Sequence, residues 1–251
     1  MSRSIIAELP PPGGARPAPV APNDRRRLHG SIAHDIAVGI IGGTYPPGSF
    51  LPTEDEFSQK LAVSRTAYRE AIRILCAKGL VESRPKLGTR ITERSKWNLI
   101  DPDVLAWHFE IEPTQAYLDQ LFELRLMLEP KAAGLAAERR SDSDITRMRE
   151  ALERMERLTL NCAEGQQADL DFHHAIMVAA GNEALTSLSP SIAATIRWST
   201  LLKVNQQGAR MRDPLPDHRL VFEAIKHGDA TAAQAQMDHL VRLAHTDMQR
   251  R

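Results

Sequence analysis

Residues 53–80 read TEDEFSQKLAVSRTAYREAIRILCAKGL, and the folding of this stretch decides how the rest of the chain is organised. Thr53 can cap a helix, with Glu56 three residues on completing a capping box. Phe57 and Leu61 then share one face. The chain turns at Ala62 and Val63, and Ser64 is placed to cap a second helix on which Ala67, Ala71, Ile72 and Leu75 recur at helical spacing. Arg65, Arg69 and Arg73 fall at i, i+4 and i+8, so one side of that helix carries three guanidinium groups while the other packs down. Such a row suits a DNA major groove, where a guanidinium pairs with a phosphate or grips a guanine edge. For the helix taken alone, a solvated basic face is the alternative.

The residues that follow favour the groove. LVES at 80–83 and TRIT at 89–92 read as two brief strands around RPKLG at 84–88, a basic loop with turn residues. Two helices and a basic hairpin make a winged helix-turn-helix. The sequence here resembles the GntR family of bacterial transcription regulators, through YPPGSFLPTE at 45–54, Val63-Ser64-Arg65, Arg69-Glu70-Ala71, Leu75, KGLV at 78–81 and Gly88-Thr89. The resemblance implies that Arg65 and Arg69 contact double-stranded operator DNA, assisted by Ser64, Thr66 and the wing from Lys86 to Gly88; Arg73 extends the same row. Many members of that family carry Arg where this chain has Asp55.

The chain has 251 residues and a formal net charge of zero, which by itself says nothing for nucleic acid. The distribution does. Residues 25–96 hold thirteen Lys or Arg against seven Asp or Glu, and residues 97–251 hold seventeen against twenty-three. A basic module is fused to an acidic one, as expected when only one half meets a polyanion. Residues 1–24 contain six of the sixteen prolines and read as a flexible tail. Arg25, Arg26 and Arg27 follow, to touch phosphate or to be solvated. Ile32, Ile36 and Ile40 then mark a first helix over residues 29–41, which completes a DNA-binding module at 25–95. Cys76 and Cys162 have no ligand or disulfide spacing and read as buried free thiols. No run reaches the ~20 apolar residues of a membrane span, and the expectation is a cytoplasmic protein with no membrane partner.

Residues 96–113 read as a hinge. WNLIDPDVLAW at 97–107 holds two tryptophans and is too apolar for a free linker, so it should dock against one or both halves. Beyond Pro113 every segment has helical periodicity, giving an all-helical bundle of about six helices over residues 114–251. The fold class expected is therefore mainly α, a winged helix-turn-helix followed by an all-α sensor bundle.

Asp169 and His173 project from one face of one helix and can share a divalent metal; a surface ion pair or a satisfied core histidine are the alternatives. His218 heads an apolar-periodic helix that would turn its ring inward. Arg125 lies on the stripe of Leu118, Leu121 and Leu128 and must find an anion there, either Glu129 or a ligand carboxylate. These residues carry a second resemblance, to the FadR-type (FCD) sensor domain found within the GntR family. It runs through Glu123-Leu124-Arg125, Leu128-Glu129-Pro130, Asp169, Phe172-His173, Gly181-Asn182, Leu185, His218, FEAI at 222–225 and Gly228-Asp229. The resemblance implies a cavity holding a metal on one Asp and up to three His, with a small carboxylate effector beside it. Asp169, His173 and His218 match the first three ligands. The fourth position holds Leu240, with His239 one place early; a small register shift would bring His239 in as the fourth ligand, and otherwise water or effector oxygens complete the shell. Zinc is the first expectation for the metal, with nickel or manganese as alternatives.

The hinge is similar to that of sugar-acid-responsive repressors, the galactonate group in particular. Such an effector would place its carboxylate at Arg125 and the metal and its hydroxyls near Arg197 and Asn205. His174, His227 and His245 read as ordinary surface or terminal residues. The sequence thus points to a homodimeric, ligand-responsive transcriptional repressor and not an enzyme. A metal-independent regulator with a fatty-acyl or amino-acid effector, or a metal-dependent enzyme, are the rival readings.

Overall fold

The computed structural model describes residues 22–61, 63–207 and 212–249. The expected tail up to residue 21 lies outside the described residues, as do Ala62 and the side chains of Leu61, Arg25, Arg26 and Arg27. Helix α1 spans Pro22–Ile41, seven residues longer at its start than its isoleucine pattern indicates, and buries Ile32, Ile36 and Ile40 against α3. Helix α2 spans Glu54–Leu61 behind the expected capping box: Thr53 N–H donates to Glu56 Oε2 at 2.8 Å, and Glu56 N–H donates back to Thr53 Oγ1 at 3.4 Å.

Helix α3 spans Arg65–Ala77, with Ser64 as its cap. Its inward face holds Ala67, Tyr68, Ala71, Ile72 and Leu75. Strands β1 (Val81–Arg84) and β2 (Gly88–Ile91) pair antiparallel, with Val81 opposite Ile91. Between α3 and β1 the chain turns at Gly79, where φ is +75° and a Cβ would sit 2.1 Å from the Lys96 carbonyl oxygen. Only glycine fits both conditions.

The hinge is structured. A short 3₁₀ turn at Arg94–Lys96 precedes α4, Pro102–Glu110, capped by Asp101. Trp97, Val104 and Trp107 belong to the core of the first half, whereas Leu105 packs with Tyr117, Leu121 and Ala194 of the second. Polar contacts fasten the same segment on both sides. Lys78, at the end of α3, reaches Asp101 Oδ1 and Asp103 Oδ2, each at 2.7 Å, and Tyr117 Oη donates to the Leu99 carbonyl at 2.9 Å. His34 of α1 lies 2.6 Å from Glu110.

The second half is helical throughout its described residues: α5 (Gln115–Arg139), α6 (Asp142–Leu158), α7 (Ala163–Ala179), the single turn α8 (Glu183–Thr186), α9 (Ser189–Gln207), α10 (Leu215–His227) and α11 (Ala230–Gln249). Periodicity alone reads α8 and α9 as one helix. Pro190 breaks it, because its ring would meet the carbonyl four residues back, that of Thr186, where α8 ends. One continuous core includes Phe122, Met148, Phe172, Ile176, Ile225 and Met237, gathered from α5, α6, α7, α10 and α11. Cys76 is exposed and Cys162 half-buried, so both are free but neither is the buried thiol expected. Cys76 lies on the outer side of α3, and the Cys162 thiol caps α7 by accepting from Gly165 N–H. No described helix is long and apolar enough to cross a membrane.

Candidate functional site

Helix α7 carries Asp169 and His173 one turn apart on its buried side, and the first turn of α10 brings His218 across to them. Each offers one donor atom within 4.8 Å of the others, and all three residues are buried. His218 Nε2 is 2.9 Å and His173 Nε2 3.6 Å from Asp169 Oδ1. These approaches lack hydrogen-bond alignment. Asp169 Oδ1 and His218 Nε2, which face each other in the cluster, are buried with no aligned hydrogen bond to a described residue. Buried polar atoms left so are costly, and two imidazoles and a carboxylate suit a borderline divalent cation. The residues therefore fit a metal ion.

The surroundings orient this group. His218 Nδ1 faces the Pro214 carbonyl at 2.8 Å, which takes the ring proton and leaves Nε2 for the cluster. Glu129 Oε2 is 2.6 Å from His173 Nδ1, and Arg125 Nε donates to Glu129 Oε1 at 2.5 Å. Phe172 lies edge-on to both imidazoles. Burial pushes the Asp169 carboxyl up, but His218, His173 and Lys203 overcome it and hold the group well below the usual carboxylate range. For Glu129 the burial is likewise outweighed by Arg125 and His173, which bring it down to about 2. Both carboxylates are held as anions.

The other expected sensor residues are placed differently. Arg125 is buried beside the cluster, with its guanidinium engaged by Glu129. Arg197 is exposed on α9 and donates to Gln167 at 3.1 Å, and Asn205 is exposed on the same helix. Neither is buried with the trio. His239 is exposed on α11 while Leu240 is buried, so the proposed fourth ligand is corrected: one position is about 100° around a helix, and that turns His239 to solvent. His174 and His227 are exposed, but His245 is half-buried, stacked on Phe122 and 2.7 Å from Asp119. Sequence reasoning missed Glu129 as the group behind His173, although Glu129 lies on the Arg125 stripe. It also missed Lys203 and Thr200, buried on α9. Their signal was a polar i, i+3 pair inside an apolar helix.

At the opposite end, Arg65, Thr66, Arg69 and Arg73 line the exposed side of α3. Ser64 is turned to the helix, accepting from Ala67 N–H at 3.1 Å. Each arginine meets a carboxylate: Arg65 with Asp55 at 2.8 Å, Arg69 with Glu54 at 2.8 Å, Arg73 with Glu70 at 2.6 Å. A groove bordered by Arg69, Arg73, Leu87, Gly88 and Thr89 separates α3 from the wing. At the wing tip Lys86 (φ +63°) and Gly88 (φ +101°) adopt left-handed backbone, which projects the loop and leaves Lys86 and Leu87 exposed.

Comparison with known proteins accords with both halves. The family model described as "Bacterial regulatory proteins, gntR family" matches residues 28–91, and the FCD domain model matches residues 120–243. The chain is similar to the galactonate operon transcriptional repressor of Escherichia coli K12, 34% identical over 78% of this chain and 85% of that protein. It is also similar to the Uxu operon transcriptional regulator of the same organism, 32% identical over 83% of this chain and 80% of that one. Among solved structures, the Lar protein of Listeria monocytogenes shares the fold, with a TM-score of 0.60, 16% identity and coverage of 90% of this chain and 96% of that one.

Proposed function

The chain belongs to the GntR family of bacterial regulatory proteins, a family of operator-binding transcription regulators and not of enzymes, and from that premise we propose a homodimeric repressor of a sugar-acid catabolic operon. A small carboxylate of the aldonate or uronate class releases it from DNA after binding beside a metal in the FCD domain. The observation that carries this reading is the buried trio Asp169, His173 and His218, whose donor atoms converge within 4.8 Å, with Asp169 Oδ1 and His218 Nε2 making no aligned hydrogen bond to a described residue. The galactonate and Uxu names of two relatives supply the effector class.

Asp169, His173 and His218 would hold zinc, nickel or manganese, and the bound ion would offer Lewis-acid positions to effector oxygens. Glu129 keeps the His173 ring in place. DNA recognition falls to residues 25–95, through Arg65, Thr66, Arg69 and Arg73 on α3, the Ser64 cap that sets the helix start, and Lys86 and Gly88 of the wing. The segment 96–113 couples them to the sensor at 114–251, because Lys78 of α3 is tied to Asp101 and Asp103 of the hinge, and Tyr117 of α5 holds Leu99. An effector changes operator affinity only as far as it prefers the released arrangement. Two recognition helices in a two-fold dimer match a short palindrome, and the work is done in the cytoplasm, where the operator is.

The test is operator binding followed by fluorescence anisotropy, with D-galactonate and D-glucuronate added to metal-loaded and chelator-treated protein. Release by either acid, lost after chelation, is the expected result. No release by any aldonate or uronate would overturn the effector class; release indifferent to chelation would overturn the metal's part in it.

A further inference from the structure

Among the described residues, Lys203 is a buried cation near the metal trio with no hydrogen bond or close ion pair, and we infer that Lys203, with Thr200 one turn before it, receives the carboxylate of the effector. This rests on the sensor reading above and assigns the effector's anionic end to a residue other than Arg125.

The charges around the trio can be followed one by one. Arg125 places Nε and Nη2 at 2.5 and 3.5 Å from the two oxygens of Glu129, and its guanidinium lies 5.2 Å from the Phe122 ring centre. Its charge is therefore satisfied inside the protein. Glu129 also touches His173, and Asp169 faces His218. Arg212 joins Asp217 and Asp247. Lys203 is only 7% exposed and has no hydrogen bond or close ion pair with a described residue. Helix α9 packs against α7, which carries Asp169 and His173, and against α11, and its buried Lys203 interacts through space with Asp169, Arg125, Asp247 and Arg212. Burial pulls that group down to about 8, opposed by Asp169 and reinforced by Arg125. A buried ammonium without a counter-ion is costly, and an anion delivered from outside removes that cost.

Neighbouring hydroxyls sharpen the assignment. On the buried side of α9, Thr195 and Ser199 donate to carbonyls of their own helix, Ser191 and Ile196, each at 3.0 Å. Thr200 is buried at 3% exposure and donates to no described residue. Thr200 and Lys203 stand three apart on one helix face. A hydroxyl and an ammonium so placed bind the two oxygens of one carboxylate, whereas a neutral polyol would leave the ammonium uncompensated. The site therefore discriminates an acid from its parent sugar.

Lys203→Met keeps the length of the side chain and removes the charge, and Lys203→Arg restores it. Acetate and D-galactonate serve as probes in a thermal-shift titration of the full-length, metal-loaded protein, with D-galactose as the neutral control. For the wild type, both carboxylates raise the melting temperature and galactose does not. For Lys203→Met, both shifts disappear, while metal content by mass spectrometry, operator affinity and the ligand-free melting temperature do not fall. Lys203→Arg recovers a shift. A full acetate shift in Lys203→Met would overturn the assignment and return the carboxylate to Arg125 or the metal. No carboxylate shift in the wild type would overturn it as well. Acetate behaving as described while galactonate fails to bind would uphold Lys203 and sink the sugar-acid reading instead.

Discussion

Asp55 Oδ1 lies 2.8 Å from Arg65 Nη2, joining the first turn of α2 to the first residue of α3, and both side chains are about two-thirds exposed, at 65% and 69%. Glu54 does the same to Arg69. The guanidinium groups proposed to meet DNA are thus screened by carboxylates of the protein itself, and an operator phosphate would have to displace them.

Asp55→Asn should tighten binding to operator and to non-specific duplex alike. Exposed ion pairs are worth roughly 0–1 kcal/mol, so the gain is a few-fold. Anisotropy titrations at several salt concentrations measure it, and weaker binding by the variant would mean that Asp55 positions Arg65 for DNA instead of competing for it.

Arg69→Ala removes a guanidinium that can grip a base edge or a phosphate, at a cost of about 1–3 kcal/mol of operator affinity. Metal content and the response to carboxylates should stay at wild-type levels. Loss of all three together would show that Arg69 supports the fold.

Glu129→Gln leaves the shape of the site and removes the charge 2.6 Å behind His173. Metal affinity should fall about 10- to 100-fold, the usual effect of losing the group that orients a ligating imidazole. His173→Ala should abolish stoichiometric metal while operator binding persists. Competition with a chromogenic chelator reads both variants, and wild-type metal affinity in His173→Ala would remove this residue from the ligand set.

The contact between α1 and the hinge carries a pH dependence. Asp35 first, and then Glu110, raise the His34 pKa above its ordinary 6.5 against an opposing effect of burial. A raised folded-state pKa stabilises the protein fully below the unfolded value and loses that stabilisation as pH rises through the folded value. The difference in melting temperature between wild type and His34→Gln should therefore be largest below about pH 6 and shrink toward pH 8.5. A difference constant over that range would show that the His34 contact is made by a neutral ring.

Much of this was legible from local spacing. A capping box, a Ser cap, an i, i+4, i+8 row of arginines and a Gly before β1 each constrain only a few neighbouring bonds, so the winged half could be read in detail. Asp169 and His173 share a face on any helix. His218 could be turned inward because its helix has a single apolar side.

What the sequence left open were contacts between segments far apart in the chain. Glu129 behind His173, His34 against Glu110 and Tyr117 on Leu99 each join separate elements, and no period records them. Helix α9 is the clearest case. Apolar residues run all round it, with Ile192, Ile196, Trp198, Leu201, Leu202 and Val204 leaving no single stripe. Its inward side was therefore set by packing against α4, α7 and α11. That packing buried Lys203 and Thr200 and exposed Arg197 and Asn205. On α11, Leu240 took the buried place and turned His239 outward. The sequence by itself determined which helices form and which residues can share a face; tertiary structure decided which face is buried, because a helix commits its side chains only when its neighbours exclude water from one side of it.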